Sequence, residues 1–160
     1  VLTIAITSSL YFSYPRVDPY HFDRGYNLTA SDVAAVHYIQ TNDRGRYIVL
    51  ANQMTAAAAV REFGFKRYYP ATDGSGRQLF YYPIPTGDAL YPYYLAMVND
   101  RPSRATAMAA AALTNVPTVY FVLPKYWDEY ERLVEEARRE ADETIVLDNG
   151  KITIFKYIRK

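Results

Sequence analysis

The chain has 160 residues, a formal net charge of +1 and no cysteine. That length suits one well-buried core. The balanced charge excludes a strongly basic surface of the nucleic-acid-binding kind and an acidic solvating tail, and the missing thiols exclude disulfides, thiolate metal sites and cysteine nucleophiles.

One residue type is over-represented. There are 17 tyrosines against two histidines and one tryptophan. Tyrosine joins an apolar ring to a polar tip, so it serves wet interfaces, sugar-binding surfaces and membrane boundaries, and it also fills strands.

Val1 to Tyr14 carries no charge and reads VLTIAITSSLYFSY. Two readings are open. As a strand, Leu2, Ile4 and Ile6 face one way and Thr3 and Thr7 the other. As the last turns of a membrane-spanning helix, Tyr11, Phe12 and Tyr14 are the interfacial aromatics and Arg16 lies just beyond. The start without methionine or a basic leader reads as a cut from something longer. Residues 1–26 are thus a membrane-proximal segment or edge strand followed by a linker, and 27–160 form a single α/β domain that closes near Lys160.

Thr29-Ala30-Ser31-Asp32 is a capping-box pattern opening a helix whose Val33, Val36 and Ile39 share a stripe. Tyr47 to Ala51 is a short apolar run, as in a strand buried on both faces. Asn52-Gln53-Met54-Thr55 then opens an alanine-rich helix through Phe63, with Gly64 at its C′ position. Short strands are expected at 66–69 and 78–84, around the turn Asp73-Gly74-Ser75-Gly76. Helices are expected from Thr86-Gly87-Asp88 to Met97 and, capped by Ser103, to Leu113. Val116 to Leu123 is a second buried strand, and Trp127 to Glu140 an amphipathic helix. Thr144–Leu147 and Ile152–Phe155 form a hairpin around Asn149-Gly150, the pair that a type I′ turn prefers.

Strands alternating with helices predict an α/β, three-layer, Rossmann-like fold. Its sheet is expected to be mostly parallel, with the C-terminal antiparallel β-hairpin as its finishing edge.

No dinucleotide or Walker-type glycine motif is present. Asp73 to Gly76 is glycine-rich but follows no buried strand, and reads as a turn. Asp18, His21 and Asp23 are the one histidine–carboxylate group, in a proline-bounded loop without further ligands. No cofactor and no metal follow from these residues. Asn52, Gln53 and Thr55 follow the carboxyl end of a buried strand, where ligands gather in open α/β sheets. They offer hydrogen bonds to a polar ligand such as a sugar, or simply cap the helix. Tyr82, Tyr91 and Tyr93 belong to a tyrosine–proline patch able to form a platform for a sugar face.

The uncharged aromatic-ended start, with YIVLAN, VPTVYFVLP and the closing GKITIFKY, resembles the soluble tail of polytopic bacterial membrane proteins of the kind similar to GT-C class glycosyltransferases. The resemblance implies an extracytoplasmic accessory domain, on the periplasmic or extracellular side of a membrane-anchored parent. Its partners are then the transmembrane part of its own parent chain and carbohydrate, with no nucleic acid. The acidic catalytic residues of that class lie in loops between membrane helices, so no catalytic residue carries over and the fragment is expected to be inactive alone. The alternative is a free-standing small-ligand binding or sensor domain. A small enzyme built on Asp18, His21 and Asp23 ranks last.

Overall fold

The computed structural model describes residues 27–64, 69–72, 75 and 76, 78–81 and 88–159. The N-terminal segment with its two readings, Asp18, His21 and Asp23, and Tyr82 lie outside the described residues.

Helix α1 spans Ala30–Asn42. Its start follows the sequence pattern: the Thr29 side chain accepts from the Asp32 amide, and the Asp32 side chain accepts from the Thr29 amide. Each therefore satisfies a donor that the first helical turn leaves open. Strand β1 is Tyr47–Leu50. Helix α2, Gln53–Phe63, is capped by Asn52 and ended by Gly64, whose φ of 66° suits a residue without Cβ. Strands β2 (Tyr69–Thr72) and β3 (Gln78–Tyr81) pair antiparallel as a separate two-stranded sheet.

A 3₁₀ turn at Asp88–Leu90 leads into α3, Tyr91–Leu95, which continues as one π-helical turn over Ala96–Asp100. Helix α4 is Arg104–Thr114, its first turn capped by Ser103. Asn115, left-handed at φ 51°, ends it. Strand β4 (Thr118–Pro124) is buried along its whole length. Helix α5 runs Tyr130–Glu140, starting three residues later than its apolar spacing predicts. Trp127 lies in the preceding turn, where its amide bonds the Pro124 carbonyl at 3.1 Å. Strands β5 (Glu143–Leu147) and β6 (Ile152–Ile158) complete the chain.

The main sheet has the order β1-β4-β6-β5. Only β1 and β4 pair parallel, while β4–β6 and β6–β5 are antiparallel. The expected Rossmann-like, mostly parallel sheet is therefore wrong: the sheet is small, mixed and mostly antiparallel. Strand direction explains the difference. Two successive antiparallel pairings make β5 run the same way as β4, so β4–α5–β5 does connect codirectional strands. It leaves a gap one strand wide, and the chain turns back at the hairpin to fill that gap with β6. The hairpin is not an edge added to a finished sheet; it supplies two of the four strands, one of them internal. Burial agrees: Ile152, Ile154, Phe155 and Tyr157 of β6 are each 0% exposed, whereas Val146 of β5 is 54% exposed.

Alternation along the strands divides the core between the two faces. Ile48, Leu50, Val119, Phe121, Leu123, Phe155 and Tyr157 face α3, α4 and α5. Tyr47, Val49, Tyr120, Val122, Ile152 and Ile154 face α1 and α2. Small residues let helices lie close to both faces: Ala107, Ala110 and Ala111 from α4, Ala58 and Ala59 from α2. Phe121 and Phe155, directly opposed across β4 and β6, stack with centroids 5.8 Å apart.

Tyr94 of α3 packs against Phe121 at 6.2 Å and edge-on against Trp127 at 5.6 Å. Its hydroxyl is buried without a hydrogen-bond partner among the described residues. Burial, with the Tyr126 and Tyr91 phenols nearby, pushes its ionisation far up. Tyr94→Phe keeps the ring and deletes the orphaned oxygen, so it is expected to raise stability by up to about 1 kcal/mol in urea unfolding. A loss of stability in that variant would show that the hydroxyl has a partner.

Candidate functional site

The parallel strands β1 and β4 end side by side, and each is followed by a tight turn. After β1, Asn52 turns into α2. Its Oδ1 accepts from the Thr55 amide at 3.0 Å. After β4, the Lys125 amide bonds the Lys151 carbonyl at 2.8 Å, which ties this loop to the hairpin. These constraints bring the Tyr126 hydroxyl onto the Asn52 side-chain amide, which donates to it. With oxygen toward the Thr55 amide and nitrogen toward Tyr126, the orientation of the Asn52 amide group follows from its partners.

The chain of bonds continues inward. Thr55 is 0% exposed, and its hydroxyl lies 3.0 Å from Asp32 Oδ1 and 3.1 Å from Asn52 Oδ1. A hydroxyl has one proton. The ionised acceptor is the stronger one, and Asn52 Oδ1 already receives an amide, so the proton belongs to Asp32. Asp32 Oδ2 accepts from the Thr29 amide at 3.0 Å and the Thr29 hydroxyl at 2.7 Å. Asp32 is thus a carboxylate 1% exposed whose two oxygens receive three donors.

The hairpin turn reaches the same place from the other side. Asp148, Asn149 and Gly150 have φ of 47°, 53° and 84°, and the Lys151 amide bonds the Asp148 carbonyl at 3.1 Å. Positive φ at Asn149 and Gly150 with that bond is the type I′ pattern the sequence predicts. Asp148 also sits in the left-handed region, and its side chain is held there. Its Oδ2 accepts from the Ser31 hydroxyl and pairs with the Lys151 ammonium at 3.3 Å. The Ser31 hydrogen bond, then Lys151, hold the Asp148 carboxyl below its ordinary value.

Between these elements lies a cleft of about 530 Å³. Ser31 and Asp32 from the start of α1, Lys125 and Tyr126 from the β4–α5 loop, and Asp148 and Lys151 from the hairpin turn give it its polar lining. Its volume is that of a small-molecule site. A second, more open hollow of about 610 Å³ lies on the outer side of α1, against Leu147, and fewer polar groups converge there.

The structure sorts the residues singled out in the sequence. Asn52 and Thr55 belong to the hydrogen-bonded wall behind the cleft, and Asn52 caps α2 as well. Gln53 is exposed at the first position of α2. Tyr91 and Tyr93 are half-buried against the core on the α3–α5 side, so they do not line the cleft. Ring contacts lead from that region toward it: Tyr91 stacks on Tyr94 at 6.0 Å and Tyr94 meets Trp127, the residue that follows Tyr126 in the chain. His37 lies on the exposed side of α1, 3.0 Å from Glu62.

Sequence reasoning missed Tyr126, Lys125, Ser31, Asp32, Asp148 and Lys151 as one site. Pro124 marks where β4 ends, and in an open sheet the residues after a strand end are the ones to examine. The hairpin's share was out of reach, because it depends on β6 lying beside β4.

Among the described residues, no group of three or more histidines or carboxylates is placed to hold a metal ion, and no helix is long and apolar enough to cross a membrane. Comparison of the chain with protein-family models, with characterised proteins and with solved structures found no match in any of the three.

Proposed function

We propose that this domain is a non-catalytic recognition module that holds a small polyhydroxylated ligand in the cleft between α1, the β4–α5 loop and the hairpin turn. The observation that carries the reading is the bonded wall Tyr126–Asn52–Thr55–Asp32. It places polar groups at the ends of the two parallel strands before any ligand arrives, which lowers the ordering cost of binding.

Recognition is favoured over acid–base chemistry by the state of the two carboxylates. Asp32 is enclosed and has donors on both oxygens. Asp148 is held ionised by Ser31 and Lys151, so it is a poor proton donor near neutrality. The resemblance of YIVLAN, VPTVYFVLP and GKITIFKY to tails of GT-C-like membrane proteins supports carbohydrate as the ligand. It also supports an extracytoplasmic place for the domain, beside the transmembrane part of its own parent chain.

Titration of the chain with neutral and charged hexoses, followed by amide resonances, tests the reading. Saturable shifts are expected at Lys125, Tyr126, Asp148 and Lys151. Asn52→Ala is expected to weaken binding by about tenfold, the cost of roughly 1.4 kcal/mol. Asn52 also caps α2, so Tyr126→Leu serves as a second variant that leaves that cap in place. Spectra unchanged by every sugar, or wild-type affinity in both variants, would remove the cleft as the binding site.

A further inference from the structure

We propose that the ligand of this cleft is an acidic sugar, polyhydroxylated and bearing one carboxylate or phosphate. The inference rests on the reading of the cleft as a binding site and adds the ligand's charge.

Four charged side chains line the cleft: Asp32, Lys125, Asp148 and Lys151. Three of them are engaged within the protein. Asp32 receives its three donors from Thr29 and Thr55. Asp148 and Lys151 pair with each other at 3.3 Å. Lys125 is exposed, and its ammonium has no ion pair or hydrogen bond among the described residues. The lining thus holds two carboxylates and two ammonium groups with no net charge, but Lys125 is the one of the four that is both exposed and unengaged among the described residues, while Asp32 is 1% exposed.

The hairpin side leaves something different. Asp148 uses the same oxygen, Oδ2, for both Ser31 and Lys151, and Oδ1 has no partner among the described residues. An ionised oxygen of this kind accepts from ligand hydroxyls and disfavours an anion beside it. The two leftover groups thus orient the ligand, with its anionic group toward Lys125 and its hydroxyls toward Asp148. A cationic sugar fits less well: Asp148 is already paired with Lys151 and Asp32 is enclosed behind Thr29 and Thr55, whereas the Lys125 ammonium is open to a ligand anion.

The test uses the full chain and four related probes: glucose, glucuronate, glucose 1-phosphate and glucosamine. At low ionic strength at least one anionic sugar is expected to bind about fivefold more tightly than glucose, a gain in the range of an exposed ion pair. Which of the two does so tells carboxylate from phosphate. The gain is expected to vanish in Lys125→Gln, a surface change that leaves the core untouched, and to shrink in about 0.5 M salt, where exposed charges are screened. Glucosamine is expected to bind no better than glucose. Equal affinity for glucose and both anions, tightest binding of glucosamine, or an anion preference that survives Lys125→Gln overturns the charge assignment and leaves the cleft as a neutral-sugar site. Absence of saturable shifts with all four overturns the binding reading and the charge assignment together.

Discussion

A chain ending at Asp142 is expected not to fold. Truncation there removes β5, the hairpin turn and β6. On an edge hairpin such a loss would strip one side of a sheet that stays paired. Here it strips β4 of its antiparallel partner along seven residue pairs, Thr118↔Ile158 to Pro124↔Ile152. It also removes Ile152, Ile154, Phe155 and Tyr157, each 0% exposed. Full burial of one such side chain stabilises by about 1.5–3 kcal/mol, so the four together contribute on the order of 6–12 kcal/mol. That is comparable to the whole stability of a domain, about 5–15 kcal/mol. The expected result is loss of the cooperative thermal transition in far-UV circular dichroism and collapse of amide dispersion. Point variants give the same test in milder form. Ile154→Ala, between Val122 and Ile145 in register, is expected to cost about 2–5 kcal/mol, as for other buried isoleucines. Ile145→Ala, on the half-buried edge strand, is expected to cost about 1–2 kcal/mol. Equal costs, or the reverse order, would contradict the placement of β6 inside the sheet.

The strand error has an identifiable origin. Periodicity and turn chemistry are local, and the caps and turns that depend on them alone are legible in the sequence. The Thr29–Asp32 box, the Asn52 and Ser103 caps, Gly64 at the end of α2 and the Asn149-Gly150 turn all stand where their residue types require. Neighbour relations between strands are not local. Nothing in Asp148-Asn149-Gly150-Lys151 tells whether β5 or β6 will lie against β4. Composition is no guide either: Thr144–Leu147 and Ile152–Phe155 each hold three apolar residues in four, and the longer continuous apolar run, Ile145–Leu147, belongs to the edge strand.

The site was legible to the same degree and for the same reason. Asn52 and Thr55 follow β1 in the chain, and the rule that ligands gather beyond strand ends finds them. Tyr126 follows β4 by the same rule, but the helical spacing of Trp127, Tyr130, Leu133, Val134 and Ala137 extended α5 across this loop in the sequence reading. Glu129, left-handed at φ 55°, is where that continuity breaks. The capping-box pattern accounts for Asp32 only as a cap. Its second oxygen, bonded to a threonine 23 positions away, makes it part of the wall as well. Ser31, Asp148 and Lys151 meet only because the hairpin returns beside β4 and brings its turn to the start of α1.

Asp32→Ala is expected to cost about 2–4 kcal/mol while leaving the topology intact. Removing the carboxylate ends the capping box, a loss of about 1 kcal/mol. It also takes from the Thr55 hydroxyl, in a residue 0% exposed, its charged acceptor, a loss of about 1–3 kcal/mol limited by the Asn52 Oδ1 that stays 3.1 Å away, while the Thr29 hydroxyl is only half-buried and can turn to water. Asp32→Asn is expected to recover little, because one carboxamide oxygen cannot receive donors from opposite sides and its NH₂ would face a donor. Thr55→Val, which removes the donor and keeps the shape, is expected to cost only about 1–2 kcal/mol, since Asp32 Oδ2 keeps both of its Thr29 bonds. The double variant separates wiring from packing. If Asp32 and Thr55 are direct partners, removing both leaves neither orphaned, and the combined cost in urea unfolding falls short of the sum by at least about 0.5 kcal/mol. Strict additivity would mean that the two act independently and that the Tyr126–Asn52–Thr55–Asp32 wall is not continuous. Asn52 keeps its bond from the Thr55 amide in each of these variants, so what Asp32→Ala loosens is the start of α1, where Ser31 lines the cleft. Sugar binding should then weaken in Asp32→Ala even though Asp32 is too enclosed to serve as the main ligand contact, the mark of a positioning residue.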